Sequence, residues 1–180
     1  MFKKLKLFSK TEVKVLNFIL RQDEEMYERE IAKKAKVSVG SANSILKKFT
    51  KENLVEKRKL GRMALYKRND DSARVRQLKI SMIVEFLEKE IVEKIKTFSR
   101  QIVLFGSCSE GKNTQESDVD LFILSNEKDN VFEIVHKFSK VSPLILNSLE
   151  YSNLGGKDKP LYERINKGIL IWDDKNESRF

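Results

Sequence analysis

Residues 103–124 read VLFGSCSEGKNTQESDVDLFIL, two apolar runs that enclose a Gly-Ser pair and, after ten intervening residues, two aspartates separated by one residue. Residues 102–105 and 119–124 are short, β-rich and apolar, the pattern of buried strands. Gly106-Ser107 closes the first run and Ser117-Asp118 opens the second, so the stretch predicts strand, loop, strand. Residues i and i+2 of a strand share a face. Asp118 and Asp120 would therefore project together, while Val119, Leu121 and Ile123 turn into a core. Two carboxylates on one face repel each other unless a cation or a proton relieves them. Mg²⁺ suits such a place, because it takes one or two carboxylates and completes its shell with waters and phosphate oxygens. Gly106 allows a tight backbone turn, and the Ser107 hydroxyl with nearby N–H groups can cradle a phosphate.

Outward from this stretch the chain is uneven in charge. Its 180 residues carry 36 Lys and Arg against 27 Asp and Glu, a net charge of +9. Residues 1–98 hold 25 basic against 14 acidic side chains, and residues 99–180 hold 11 against 13. A basic front beside a slightly acidic back suggests two modules, the first facing a polyanion; a solvated lysine-rich surface is the plainer alternative. With hydrophobic residues at 40% and charged residues at 35%, the composition is that of a globular chain. No apolar run reaches the roughly 20 residues of a membrane-spanning helix, and the start MFKKLKLFSKTEVKVLNFIL has a basic front but uninterrupted apolar pieces too short for a signal-peptide core. The single cysteine cannot form an internal disulfide, which fits a reducing compartment. A cytoplasmic protein without a membrane partner is the expectation.

In the basic half, Val13, Val15, Leu16, Phe18, Ile19 and Leu20 form one helical face after a Ser9 N-cap. A shorter helix follows over 27–35. Ser38 caps a third, in which Val39, Ala42, Ile45, Leu46 and Phe49 recur at helical spacing. Its outward face would carry Ser41, Asn43, Ser44, Lys47 and Lys48, short hydrogen-bonding groups for base edges and then cations for phosphates. LVEKRKLGRMALYKRN then reads as a hairpin around Gly61, with Lys57, Arg58, Lys59, Arg62, Lys67 and Arg68 along its tip and flanks. The segments YEREIAKKAKVSVGSANSILKKF and NLVEKRK, with the Gly-Arg turn, resemble the winged helix-turn-helix domains of prokaryotic transcription regulators over about residues 9–69. That resemblance implies double-stranded DNA as partner, with Ser41, Asn43, Ser44, Lys47 and Lys48 reading it and Arg58, Lys59 and Arg62 as wing contacts. A helical module that binds a protein is the alternative.

Between residues 72 and 98 there is neither Gly nor Pro, and Val75, Leu78, Met82, Ile83, Phe86, Leu87, Ile91, Ile95 and Phe98 recur at three- and four-residue steps. This predicts one long connecting helix, whose apolar stripe serves either a homodimer contact or internal core.

The string of an apolar residue, Gly106-Ser107, ten residues and Asp118-Val119-Asp120 resembles the signature of the minimal nucleotidyltransferases of the DNA polymerase β superfamily, over roughly residues 97–172. The resemblance implies an α+β chain: an N-terminal winged helix (1–70), a connecting helix (71–98) and a C-terminal small mixed-sheet nucleotidyltransferase domain (99–180). It further implies that Gly106 and Ser107 bind an NTP, and that Asp118 and Asp120 are catalytic and ligate Mg²⁺ or Mn²⁺. A nucleoside monophosphate would then pass to a hydroxyl on a protein, RNA or small molecule. The family's third carboxylate belongs on a later strand, yet the matching run 141–149, VSPLILNSL, has no acid, and Glu150 lies beyond it. Two further readings stay open: a non-catalytic transcription regulator, and a module that works with a small helical partner protein, as in toxin–antitoxin pairs.

Other features carry less. His136 has no Cys or His companions for zinc, and Cys108 has no His partner. GGK at 155–157 lacks the strand and spacing of a P-loop and reads as a turn. KDKPLYERINKG predicts a short helix, and ILIW a last strand that holds Trp172 by packing.

Overall fold

The computed structural model describes residues 8–177, with backbone only for 176 and 177. The fold is α+β, with two separate sheets. Two compact units divide between Arg76 and Gln77.

The first unit is built from helix, strand, helix, helix and hairpin. Helix α1 (Lys10–Leu20) opens on a reciprocal cap: the Ser9 hydroxyl accepts from the Glu12 N–H, and Glu12 accepts from the Ser9 N–H. Strand β1 (Met26–Tyr27) leads into α2 (Glu28–Lys34), and Ser38 caps α3 (Val39–Lys51). Val15, Leu16 and Ile19 of α1, Ile31 and Ala32 of α2, and Ala42, Leu46 and Phe49 of α3 are all buried, and the three helices pack on one another. Strands β2 (Val55–Leu60) and β3 (Met63–Arg68) form an antiparallel hairpin whose turn uses Gly61 at φ +59°, a left-handed backbone that favours glycine. The two-residue β1 completes the sheet in the order β1-β3-β2.

Arg68, expected among the exposed wing cations, is instead only 4% exposed. Its guanidinium donates to the Leu20 carbonyl at 2.7 Å, to Asp23 at 2.6 Å and to Asp70 at 2.7 Å. The cause is strand alternation: Arg68 shares a face with the buried Tyr66, so its side chain runs beneath the sheet toward the end of α1.

The helical stretch after α4 (Ala73–Leu87) is not uniformly wound. A π turn covers Glu88–Val92, α5 is Glu93–Ile95, and a 3₁₀ turn covers Lys96–Phe98. Ile91 and Val92 within the π turn are both buried. From Gln77 onward this stretch belongs to the second unit, and Leu87, Ile91 and Ile95 lie in its core.

The second unit carries a four-stranded sheet in the order β6-β5-β4-β7. Strand β4 (Gln101–Phe105) pairs antiparallel with β5 (Val119–Leu124) and with β7 (Ile169–Asp173), and β5 pairs parallel with β6 (Val141–Leu146). The sheet is mixed. One face places Ile102, Leu104, Leu121 and Ile123 against Leu87, Ile91, Ile95 and against Val131 and Val135 of α7 (Lys128–Val135). The other places Val103, Phe105 and Phe122 against α8 (Ser148–Lys157) and α9 (Lys159–Asn166). Here 155–157, expected as a turn, is the last turn of α8, and the strand expected over 141–149 stops at Leu146, where Asn147 caps that helix. The Asn147 carboxamide accepts from the Glu150 N–H at 2.9 Å and Glu150 returns the bond at 2.8 Å, and this reciprocal cap outweighs the two glycines. Short α6 (Gly106–Ser109) and α10 (Asp174–Glu177) complete the elements. No helix among the described residues is long and apolar enough to cross a membrane.

Candidate functional site

The register of β4 against β5 pairs Phe105 with Asp120, so Asp120 stands beside the residue that follows Phe105. That residue is Gly106, at φ +71°. A Cβ there would collide with the Asp120 Oδ2 atom, so glycine is needed both for the turn and for the approach of the carboxylate. Asp118 immediately precedes β5, exposed, and is close enough to raise the pKa of Asp120. The Gly-Ser turn and both aspartates thus meet at one end of two adjacent strands.

The loop between them is pinned from three directions. Cys108, buried within α6, donates its thiol to the Asp118 carbonyl at 3.3 Å. Burial, then Asp120, pushes that thiol up to about 11, which makes it a buried fastener and a poor nucleophile. Lys79 of α4, 3% exposed, donates to the Asn113 carbonyl. Lys140 donates to the Gln115 carbonyl at 3.2 Å, and the Ser117 hydroxyl accepts from the Thr114 N–H at 2.9 Å.

Asp120 has a carboxyl pKa above its ordinary value. Burial raises it most, the Arg164 guanidinium opposes this, and Asp118 adds to the rise. Arg164 was not singled out in the sequence. It reaches from α9 to within 3.8 Å of Asp120 Oδ2 and lies over the Phe105 ring, 5.6 Å from its centre. On the opposite flank β6 supplies no acid: Ser142 pairs with Asp120 and Leu144 with Phe122. Glu150 is held by the Asn147 N–H and by Lys128. No group of three or more His, Cys, Asp or Glu that could hold a metal occurs among the described residues.

A family model described as polymerase beta, nucleotidyltransferase matches residues 82–177, just over half of the chain. The chain belongs to the polymerase beta nucleotidyltransferase family. No match was found among curated proteins. Among solved structures, a candidate nucleotidyltransferase from Sulfolobus solfataricus is 21% identical, covering 56% of this chain and 88% of that one with a TM-score of 0.38. Nucleotidyltransferases of this family generally use a divalent metal and an NTP. The donor set here fits one such hard cation: two carboxylates one residue apart at the start of β5, the inner one with its pKa raised by burial and by its neighbour.

Gly106→Ala is expected to damage this nucleotidyltransferase site more than the fold. The left-handed backbone costs about 1–2 kcal/mol, and Asp120 must also move aside. Affinity for Mg-NTP, measured by calorimetry, should fall at least about tenfold. Gly61→Ala, with the same sign of φ and open space around it, is the control and should leave that affinity unchanged.

On the first unit, the residues expected to meet DNA divide into two groups. Ser44 and Lys47 on α3 and Lys59 and Arg62 on the hairpin are exposed. The rest are engaged within the chain: the Ser41 hydroxyl accepts from Ser38 at 2.8 Å, Asn43 donates to Glu28 at 2.6 Å, Lys48 pairs with Glu12, and Arg58 pairs with Glu25. Lys48, and then the Ser9 N–H, hold the Glu12 carboxyl below its usual range. The partners of Asn43, Lys48 and Arg58 lie 15, 36 and 33 residues away in sequence, so no local pattern announces them.

Proposed function

We propose that the chain couples a double-stranded DNA-binding winged helix, residues 1–70, to a nucleotidyltransferase domain that takes an NTP with Mg²⁺ or Mn²⁺ and transfers a nucleoside monophosphate to a hydroxyl. The observation that carries the transferase half is the approach of Asp120 to Gly106, which joins the Gly-Ser turn and the aspartates into one site. Gly106 and Ser107 bind the triphosphate through backbone N–H groups and the Ser107 hydroxyl. Asp118 and Asp120 hold the cation. Bound there, it neutralises charge on the phosphates and polarises the reacting oxygens. In the transfer the acceptor oxygen bonds to the α-phosphorus, the bond from that phosphorus to the bridging oxygen breaks, pyrophosphate leaves and the hydroxyl proton passes to solvent. The direct test is incubation with α-labelled NTPs, Mg²⁺ or Mn²⁺ and protein, RNA and small-molecule acceptors. Metal-dependent label on an acceptor is expected. Nucleotide binding without label would leave a nucleotide-responsive regulator in place of an enzyme.

The DNA-binding half is supported by the order of helix, strand, helix, helix and hairpin, by the exposed Lys47, Lys59 and Arg62, and by the basic balance of residues 1–98. Lys47→Glu/Arg62→Glu tests it, because neither residue is tied to a carboxylate by any bond described above. Two lost phosphate contacts should flatten the slope of log affinity against log salt by about 1.8 on duplex DNA. An unchanged slope sinks the assignment of α3 and the hairpin as the reader.

A further inference from the structure

We infer that Arg164 supplies the positive charge that a second divalent cation would otherwise bring, so that the nucleotide is held with a single divalent cation per chain. This rests on the nucleotide-binding reading above and deepens it.

The ligand count is the first reason. Asp118 and Asp120 suffice for one Mg²⁺, which uses one or two carboxylates, and a second ion would have to share both of them with the first. The strand beside them places Ser142 at the register position of Asp120 and carries no acid along its length. The second reason is Arg164 itself. A guanidinium matches phosphate oxygens in a two-pronged fork. It is held in place by a built element: α9 opens on an Asp158 cap with Pro160 in its first turn, and the neighbouring Ile165 is 2% exposed in the core. The Phe105 ring beneath it keeps the guanidinium over the site. The third reason is mutual exclusion. A cation 3.8 Å from Asp120 Oδ2 already occupies the flank where a second divalent ion would need that carboxylate. The Arg164–Asp120 pair is loose and half exposed, with side-chain exposures of 58% and 32%, so the guanidinium can meet phosphate oxygens while staying on the Asp120 flank.

Mn²⁺ counted by the loss of its free electron paramagnetic resonance signal, with the full chain and a non-hydrolysable NTP analogue, tests this without any turnover. One Mn²⁺ per bound analogue is expected for the wild type. Arg164→Glu, which replaces the cation by a third carboxylate, should raise the count to two. Arg164→Gln should keep the count at one and weaken analogue affinity at least about tenfold. Two Mn²⁺ per bound analogue in the wild type, or wild-type affinity in Arg164→Gln, overturns the inference alone. A wild-type chain that binds no analogue overturns the nucleotide-binding reading and this inference with it.

Discussion

An Asp118→Asn/Asp120→Asn chain is expected to melt above the wild type at pH 7 while losing nucleotidyl transfer by at least about a thousandfold. The loss follows from replacing both proposed anionic ligands by neutral carboxamides of nearly the same shape. The gain in stability follows from the same geometry. Burial raises the pKa of Asp120 most, Arg164 opposes the rise, and Asp118 adds to it, so the folded chain holds the Asp120 proton more tightly than the unfolded chain does. Below the ordinary value of 3.8 both states are protonated and the site costs nothing. As pH rises through the folded-state pKa the carboxylate must ionise inside the site, and stability is lost. Asparagine avoids that loss, so its advantage should be full at pH 7 and shrink toward pH 4 in thermal scans. A melting difference that is the same at both pH values would show that the ionisation of Asp120 is not the source. Such a trade of stability for function is common where like charges converge at a binding site.

The parts of this molecule that could be read from sequence are those whose cause is local. The short apolar runs 102–105 and 119–124 give β4 and β5, because β-rich stretches of this kind are buried on both faces of a sheet, here with Leu121 and Ile123 in one core and Val103 and Phe122 in the other. Ser9 and Ser38 mark helix starts because a hydroxyl can satisfy an orphan N–H only there. Gly61 marks its turn because few other residues accept that φ. What escaped has a distant cause. Strand β1 is two residues long and exists through its pairing with Leu65 and Tyr66. Asn147 outvotes Gly155 and Gly156 through a cap placed at the other end of their helix. The cations were legible as cations but their partners were not: Lys48 and Arg58 looked available for DNA until Glu12 and Glu25 were beside them. Arg164 reads as one more polar residue on an amphipathic helix, and only the sheet that brings α9 over Phe105 reveals it as part of the site.

Arg68→Met is expected to be the most destabilising of these substitutions in the first unit, at about 2–4 kcal/mol. The guanidinium is 4% exposed and makes the only contact described to the Leu20 carbonyl from outside its helix, besides two carboxylate pairs. Methionine fills the volume but leaves that carbonyl without its donor at the end of α1. Asp23 and Asp70 are 30% and 48% exposed, so water can take over their part, which places the cost at the lower end for a broken buried pair. Lysine would not rescue the site, because one ammonium cannot span the carbonyl and both carboxylates in the plane of the guanidinium fork. Hydrogen exchange read by mass spectrometry separates the units. Amides of α1 and β3 should lose protection by roughly 30-fold or more, since each 1.4 kcal/mol is a factor of ten, while β4 and β5 keep theirs. Arg58→Met provides the contrast, because Arg58 also pairs with a carboxylate but with its side chain 58% exposed. Its removal should leave protection of α1 unchanged. If the two variants exchange alike, Arg68 is another surface cation and the end of α1 is held to β3 by packing alone.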